Sequence, residues 1–350
     1  MRIGILTYHN GINYGAYFQV YSLQKFLIDH GFDCQVINYK NIGFTFREYM
    51  TFFGPIHWHP KNLLKGSINK NAKKIISFKK AHKKLNLTQR FYKRGSISKL
   101  RFDRIIIGSD EVWNYGTKLI GYDPVYFSKG LNSNRILSYS ASFGNKKLSE
   151  KIPSELCDLL EKFYNISVRD ENSYKIINKI LNRKVPITLD PTFLVDLSSE
   201  AISTSDSNYI LVYGFFNKQM VRQITKYARS VGKNTVSIGY RRDWCDYSFD
   251  TISPFQWLGF FKNCECVITT MFHGMIFSIL NKKKFCMIKS PYRIYKVGNF
   301  LNELGLSKNF IDDNGQICAS LKRNVDYNKV HAIIDEKRFI SRNYLIEALK

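Results

Sequence analysis

Two constellations in the chain have the residue types of a reacting site. The first is "CVITTMFHGMIFSIL" (266–280), where an apolar run breaks at Met271, Phe272, His273 and Gly274 and an apolar helical run follows at once. A histidine placed there can give or take a proton near neutral pH, beside a helix N-terminus that attracts anions. Gly274 would permit close approach to the backbone. A histidine after a strand is also a common structural residue, and position alone does not separate the two roles. The second is "IIIGSDEVWN" (105–114), which sets Asp110, Trp113 and Asn114 just beyond an apolar strand. Carboxylate, indole and amide suit a carbohydrate subsite, and Ser109 or Asp110 would serve equally well as a helix N-cap.

Further strand ends add weaker candidates. "YHNGINYGAYFQ" (8–19) places Asn13, Tyr14 and Gly15 before a helix N-terminus, a cradle for an anion or another ligand. The spacing of Gly11 and Gly15 is not the dinucleotide G-x-G-x-x-G, and the second strand closes on Asn38, Tyr39 and Lys40 rather than on an acid, which disfavours a nicotinamide enzyme. No G-x-x-x-x-G-K-[ST] phosphate loop is present. "SYSASFG" (138–144) offers Ser140, Ser142 and Gly144 and reads as a tight turn, since no histidine follows nearby. Arg169 in "SVRDENS" suits bidentate binding of a carboxylate or phosphate, or an ion pair with a neighbouring strand end. Asp190 in "TLDP" is a site group or a turn former.

These residues need elements to hold them. At 350 residues with 44% hydrophobic content, the chain can bury a large core and exceeds most single domains, so two lobes are expected. Strands are expected at 3–8, 34–39, 104–109, 136–140, 166–169 and 185–189, with helices at 16–29 and 149–164 between them. After the Ser-rich "SSEAISTSDSN" the alternation restarts: strand 209–214, helix 217–231, strand 235–238, helix 254–263, strand 266–270 and a helix from 275. The expected fold class is α/β, with two Rossmann-like lobes and a site at the carboxyl ends of the strands.

Composition narrows the setting. No run reaches the length of a membrane span and the first residues do not read as a signal peptide, so a cytoplasmic location is expected. Seven scattered cysteines without C-x-x-C spacing read as reduced core residues, and no metal is expected. The net charge is +25, and residues 61–104 hold fifteen Lys or Arg against one acid, Asp103. Within them "INKNAKKIISFKKAHKKL" sets Ile68, Ile75, Ile76 and Phe78 among lysines at roughly helical spacing. Such a helix can lie on an anionic membrane, bind nucleic acid, or pack on its own domain as a solvated face. The aromatic stretch before it, 43–64, suits a headgroup-level anchor or an acceptor-binding lip.

"NYGAYFQVYSLQKFL", "IIGSDEVWN", "SYSASFG", "SVRDENS", "LDPTFL" and "FHGMIFSIL" occur in the order of the polysaccharide pyruvyl transferase family, which the chain resembles from about residue 10 to beyond 300. The resemblance implies a glycosyltransferase B-like architecture with an interlobe cleft. Its lobes would be 1–200, carrying a basic and aromatic insertion at about 41–100, and a donor-binding 206–350. It implies transfer of pyruvate from phosphoenolpyruvate, as a ketal, onto a sugar of a cell-surface polysaccharide or its lipid-linked precursor, with release of phosphate. His273 and Asp110 would be catalytic. Arg169, Gly274, Ser278, Arg293 and Lys296 would bind the donor, and Asn13, Tyr14, Gly15, Trp113, Asn114 and Ser142 the acceptor. No cofactor beyond the co-substrate and no nucleic acid are implied, and a peripheral contact with an anionic membrane is compatible with a lipid-linked acceptor. The chain departs from the family pattern at Met271, where some branches carry arginine, and at Glu111, Ser140 and Phe18, for Gln, Ala and Leu. Two other readings stand beside this one: a glycosyltransferase of the same architecture using a nucleotide sugar, and a basic module that binds nucleic acid or membrane through 61–104.

Overall fold

The computed structural model describes residues 1–41, 43, 65–116, 121–204, 207–290, 294–312 and 315–350, with 65–70 and 294–296 described by their backbone. The chain forms two units, one of Met1–Ile68, His82–Val195 and Glu336–Lys350, the other of Asn69–Ala81 and Asp196–Asp335.

The first unit opens with β1 (Arg2–Leu6), whose residues after Arg2 are all buried, as in a parallel strand covered on both faces. α1 (Tyr14–Asp29) follows, started by Asn13, whose side chain accepts the Ala16 N–H at 3.2 Å. Tyr17, Phe18, Val20, Leu23, Phe26 and Leu27 of this helix are buried. Gly31, at φ +80°, turns the chain into β2 (Asp33–Val36). After α2 (Lys65–His82) come β3 (Phe102–Ile107) and β4 (Ser133–Ser138), then α3 (Ser154–Glu161) and α4 (Glu171–Leu181). The sheet is parallel, in the order β2-β1-β3-β4. The runs 166–169 and 185–189, expected as strands, extend the sheet edge only through single parallel bridges, Leu137 to Asn165, Ala141 to Val168 and Val168 to Ile187.

The second unit holds β5 (Ile210–Tyr213), α5 (Lys218–Ser230), β6 (Thr235–Ile238), β7 (Tyr247–Phe249), α6 (Pro254–Asn263), β8 (Cys266–Thr269), α7 (Phe272–Leu280) and β9 (Lys284–Ile288). α8 (Ile294–Glu303), β10 (Phe310–Ile311), α9 (Ile317–Leu321) and the start of α10 (Tyr327–Leu349) complete it. All strands are parallel, in the order β10-β9-β8-β5-β6-β7. Caps fix the helices that follow the strands: Asn217 accepts the Met220 N–H, and Ser253 with Gln256 forms a reciprocal capping box at α6.

The division differs from a single boundary near residue 205 in two places. Residues 336–350 pack on the first unit, where Ser341 Oγ accepts the Leu189 N–H at 2.9 Å and Tyr344 donates to the Ser138 carbonyl at 2.8 Å. Residues 69–81 belong to the second, because Lys74, Phe78 and Ala81 form the buried face of α2. Ile76, expected on an apolar stripe, is 51% exposed. Most of the aromatic stretch, 44–64, lies outside the described residues. No helix among the described residues is long and apolar enough to cross a membrane. All seven cysteines are free thiols, and burial pushes those of Cys34, Cys264 and Cys286 up to about 12.

At the end of β1 the ring of His9 is buried, with Nε2 3.2 Å from Asn38 Oδ1 and Nδ1 3.2 Å from the Thr7 carbonyl. Burial outweighs these bonds and lowers its pKa to about 4. His82, stacked edge-on against Tyr17, is lowered to about 4 by burial and by the His9 charge. Both rings are therefore neutral in the folded state and titrate near 6.5 when unfolded, so their contribution is present above pH 6.5 and is lost as the pH falls towards 4. The thermal midpoint should hold level above about pH 7 and drop from about pH 6.5, earlier than carboxylate titration alone would produce. His82→Phe should flatten that drop; equal slopes for variant and wild type would refute this account.

Candidate active site

In the first unit the strand ends converge on Arg169. Its guanidinium, 2% exposed, donates to Asp190 at 3.2 Å and to Asp110 at 3.5 Å. Burial pulls the arginine's pKa down, and the charges of Asp110, Asp190, Glu111 and Asp170 more than reverse this, leaving it above its ordinary value. Asp190 also accepts from the Thr192 N–H and hydroxyl. Asp170 caps α4 through the Ser173 N–H at 2.8 Å and accepts the Ser142 hydroxyl at 2.6 Å. Asn114 donates to Glu111 at 3.2 Å and to Asn145 at 3.3 Å, over Gly144, whose left-handed backbone leaves no room for a Cβ beside them. Four carboxylates face one guanidinium. The cluster therefore repels a phosphorylated anion and suits the hydroxyls of a neutral sugar.

The structure gives the expected residues these surroundings. Arg169, expected to bind the donor, is paired within the unit with Asp110 and Asp190. Trp113 is fully buried among Phe127, Phe143 and Phe163 and donates Nε1–H to the Tyr126 carbonyl at 2.9 Å, which makes it a core residue without a face for a sugar. Asn114 and Ser142 are likewise buried and bonded within the unit. Tyr14 and Gly15 lie buried in the first turn of α1, and Asn13 is exposed at its cap. Asp110 is held at φ +85° with 21% of its side chain exposed, and with the half-buried Glu111 it forms the part of this cluster that solvent reaches.

In the second unit β8 runs directly into α7, so His273 and Gly274 occupy the first helical turn instead of a preceding turn. Thr269 holds this junction: its Oγ1 donates to the Tyr213 carbonyl at 2.7 Å and accepts the Met271 N–H at 2.9 Å. A Cβ on Gly274 would overlap Thr269 Oγ1 and stand 2.9 Å from Tyr213 Cδ1. The glycine, expected at the donor site, is thus required for helix-on-strand packing. Ser278, expected to bind the donor, is buried, and its hydroxyl donates to the Gly274 carbonyl at 2.7 Å. His273 is half-buried, with its ring 5.2 Å from that of Phe272. Met271 caps the helix without a side-chain bond. Arg293 and the side chain of Lys296 lie outside the described residues.

Two cations stand at the adjacent strand ends. Arg242 donates Nε–H and an Nη2–H to the Gly214 carbonyl at 3.1 and 2.8 Å, beyond β5. Lys74, buried, donates to the Gly239 carbonyl at 2.6 Å, beyond β6. Sequence reasoning missed Lys74, whose signal is the i, i+4, i+7 spacing of Lys74, Phe78 and Ala81. A pocket of about 330 Å³ is lined by Arg241, Arg242, Cys245, Ser248 and the carboxylates of Asp243, Asp246 and Asp250. Three carboxylates against two arginines make it a poor seat for a trianion. No group of three or more His, Cys, Asp or Glu side chains among the described residues is placed to hold a metal.

Gly274→Ala is expected to destabilise the protein by about 1–3 kcal/mol through overpacking. Chemical denaturation reads this, and an unchanged midpoint would return Gly274 to a ligand-facing role.

Known proteins share this architecture. The UDP-GlcNAc 2-epimerase of Methanocaldococcus jannaschii, solved with UDP-GlcNAc and UDP, superposes with a TM-score of 0.51 at 13% identity, over 97% of this chain and 94% of its own. The glycotransferase of kitacinnamycin superposes with a TM-score of 0.52 at 8% identity, over 99% and 97%. At such identities the likeness establishes the fold, two Rossmann-like lobes of the glycosyltransferase B type. No curated protein matches the chain in sequence. The family model "Polysaccharide pyruvyl transferase" matches residues 13–290, most of the chain, including Asp110, Arg169 and His273, and the protein therefore belongs to that transferase family.

Proposed function

We propose that the protein transfers pyruvate from phosphoenolpyruvate to two hydroxyls of a sugar, in a surface polysaccharide or its lipid-linked precursor, as a cyclic ketal. The observation that carries this reading is His273, half-buried in the first turn of α7 at the carboxyl end of β8, within the span that matches the family. Lys74 and Arg242, at the ends of β5 and β6 in the same unit as His273, support an anionic donor.

The chemistry balances with these groups. His273 gives a proton to the methylene carbon of the enol, which becomes a methyl group and leaves cationic character on C2. A sugar hydroxyl forms a C–O bond at C2 and loses its proton to the imidazole. The C2–O bond to phosphate breaks and phosphate departs with the electron pair. A second hydroxyl then closes the ketal, and its proton leaves with the phosphate. One histidine serves as acid and then as base.

Incubation with phosphoenolpyruvate and a panel of glycosides or lipid-linked saccharides should release phosphate and add a pyruvyl mass to one acceptor. His273→Gln should lower turnover by about 10²- to 10⁴-fold without changing the melting temperature. Thermal stabilisation by UDP-sugars, with none from phosphoenolpyruvate, would instead favour a nucleotide-sugar glycosyltransferase, a donor class bound by the epimerase of the same fold.

A further inference from the structure

The second unit gathers two cations around one aromatic ring at the ends of neighbouring strands. Lys74 Nζ lies 5.4 Å from the centroid of Tyr240, and the Arg242 guanidinium lies 5.5 Å from the same centroid. Arg242 also stacks 4.6 Å over Phe215, which is 59% exposed. The hydrogen bonds of Arg242 go to the carbonyls of Gly214 and Arg241, not to a carboxylate. They use three of its five N–H donors. Burial lowers the pKa of Lys74 to about 8 against an opposing pull from Asp250, and burial also lowers that of Arg242. Cations beside one ring in a partly desolvated place favour an anion between or beside them.

The same cluster touches the turn that bears His273. The Phe215 N–H donates to Thr270 Oγ1 at 3.0 Å, and a Cβ on Gly214 would stand 2.9 Å from the Thr270 nitrogen. Tyr213, packed against Gly274, stacks on Tyr240 at 5.8 Å. The cations, the aromatic rings and the first turn of α7 thus form one contact layer along the carboxyl ends of β5, β6 and β8.

We propose that Lys74 and Arg242 form a binding site for a phosphate monoester at the ends of β5 and β6; equating that phosphate with the donor's rests on the function proposed above. A dianion needs more than one cation, and the pair combines the point charge of an ammonium with the planar fork of a guanidinium. The helix N-terminus of α7 adds partial positive charge on the side of His273.

Inorganic phosphate and phosphoenolpyruvate, each titrated calorimetrically into the full chain at low ionic strength, test this. Lys74→Met and Arg242→Gln should each weaken phosphate binding about tenfold or more, and Lys74→Arg should retain most of it. Phosphoenolpyruvate affinity should fall in step. If Lys74→Met does not fold, as its melting curve would show, the partly exposed Arg242→Gln carries the test alone. Phosphate affinity unchanged in Arg242→Gln overturns the site. Phosphate binding that depends on both residues, without binding of phosphoenolpyruvate, keeps the site and overturns the donor assignment. A wild-type protein that binds neither anion overturns both.

Discussion

The position of His273 depends on how closely α7 sits on the end of β8. Two features set that distance, the missing side chain of Gly274 and the single hydroxyl of Thr269. The hydroxyl donates to β5 through the Tyr213 carbonyl and accepts from the start of α7 through the Met271 N–H, so two strands and a helix meet on one oxygen. One turn later Ser278 returns a bond to the Gly274 carbonyl. The small and hydroxylic residues of this stretch therefore hold the histidine's backbone. In a parallel sheet every strand delivers its next residue to the same edge, so a junction fixed at β8 places His273 on the edge where β5 and β6 also end.

The two units use the same edge of the same kind of sheet to opposite electrostatic effect. In the first, Arg169 is surrounded by Asp110, Asp170, Asp190 and Glu111, and its charge is consumed internally. In the second, Arg242 and Lys74 donate to carbonyl oxygens and lie against aromatic faces, which orient them. Charge balance thus separates an acidic cluster in the first unit from a basic one in the second.

Much of the fold was legible because parallel strands covered on both faces read as continuous apolar runs, and β1, β3, β5, β6 and β8 all announce themselves in this way. Helix α6 carries its own punctuation in Ser253, Pro254 and Gln256. What failed was finer. Gly274 looked like a turn residue, yet it stands inside the helix, because a glycine demanded by packing and one demanded by a turn are the same letter. Runs 166–169 and 185–189 have the composition of strands but make single bridges, since the paired backbone is too short to form a ladder. Trp113 and Asn114 sit at a strand end, as sugar-binding residues would, and only the rings of Phe127, Phe143 and Phe163 reveal that this end turns inward.

Lys74 was hidden for a different reason. It lies in a run of lysines in which Lys73, Lys79 and Lys80 are exposed, and a charge run is ordinarily a solvated face. Helix periodicity nonetheless puts Lys74 on the same side as Phe78 and Ala81, and that side is buried in the second unit. A leucine there would bury without cost, whereas an ammonium must recover its hydration from Gly239 and Tyr240. The charge reaches the strand ends from 165 residues away in sequence, on an excursion that leaves the first unit before returning to it. No motif confined to a contiguous stretch around His273 can contain it, and the positive charge of this site is therefore a property of how the chain is threaded.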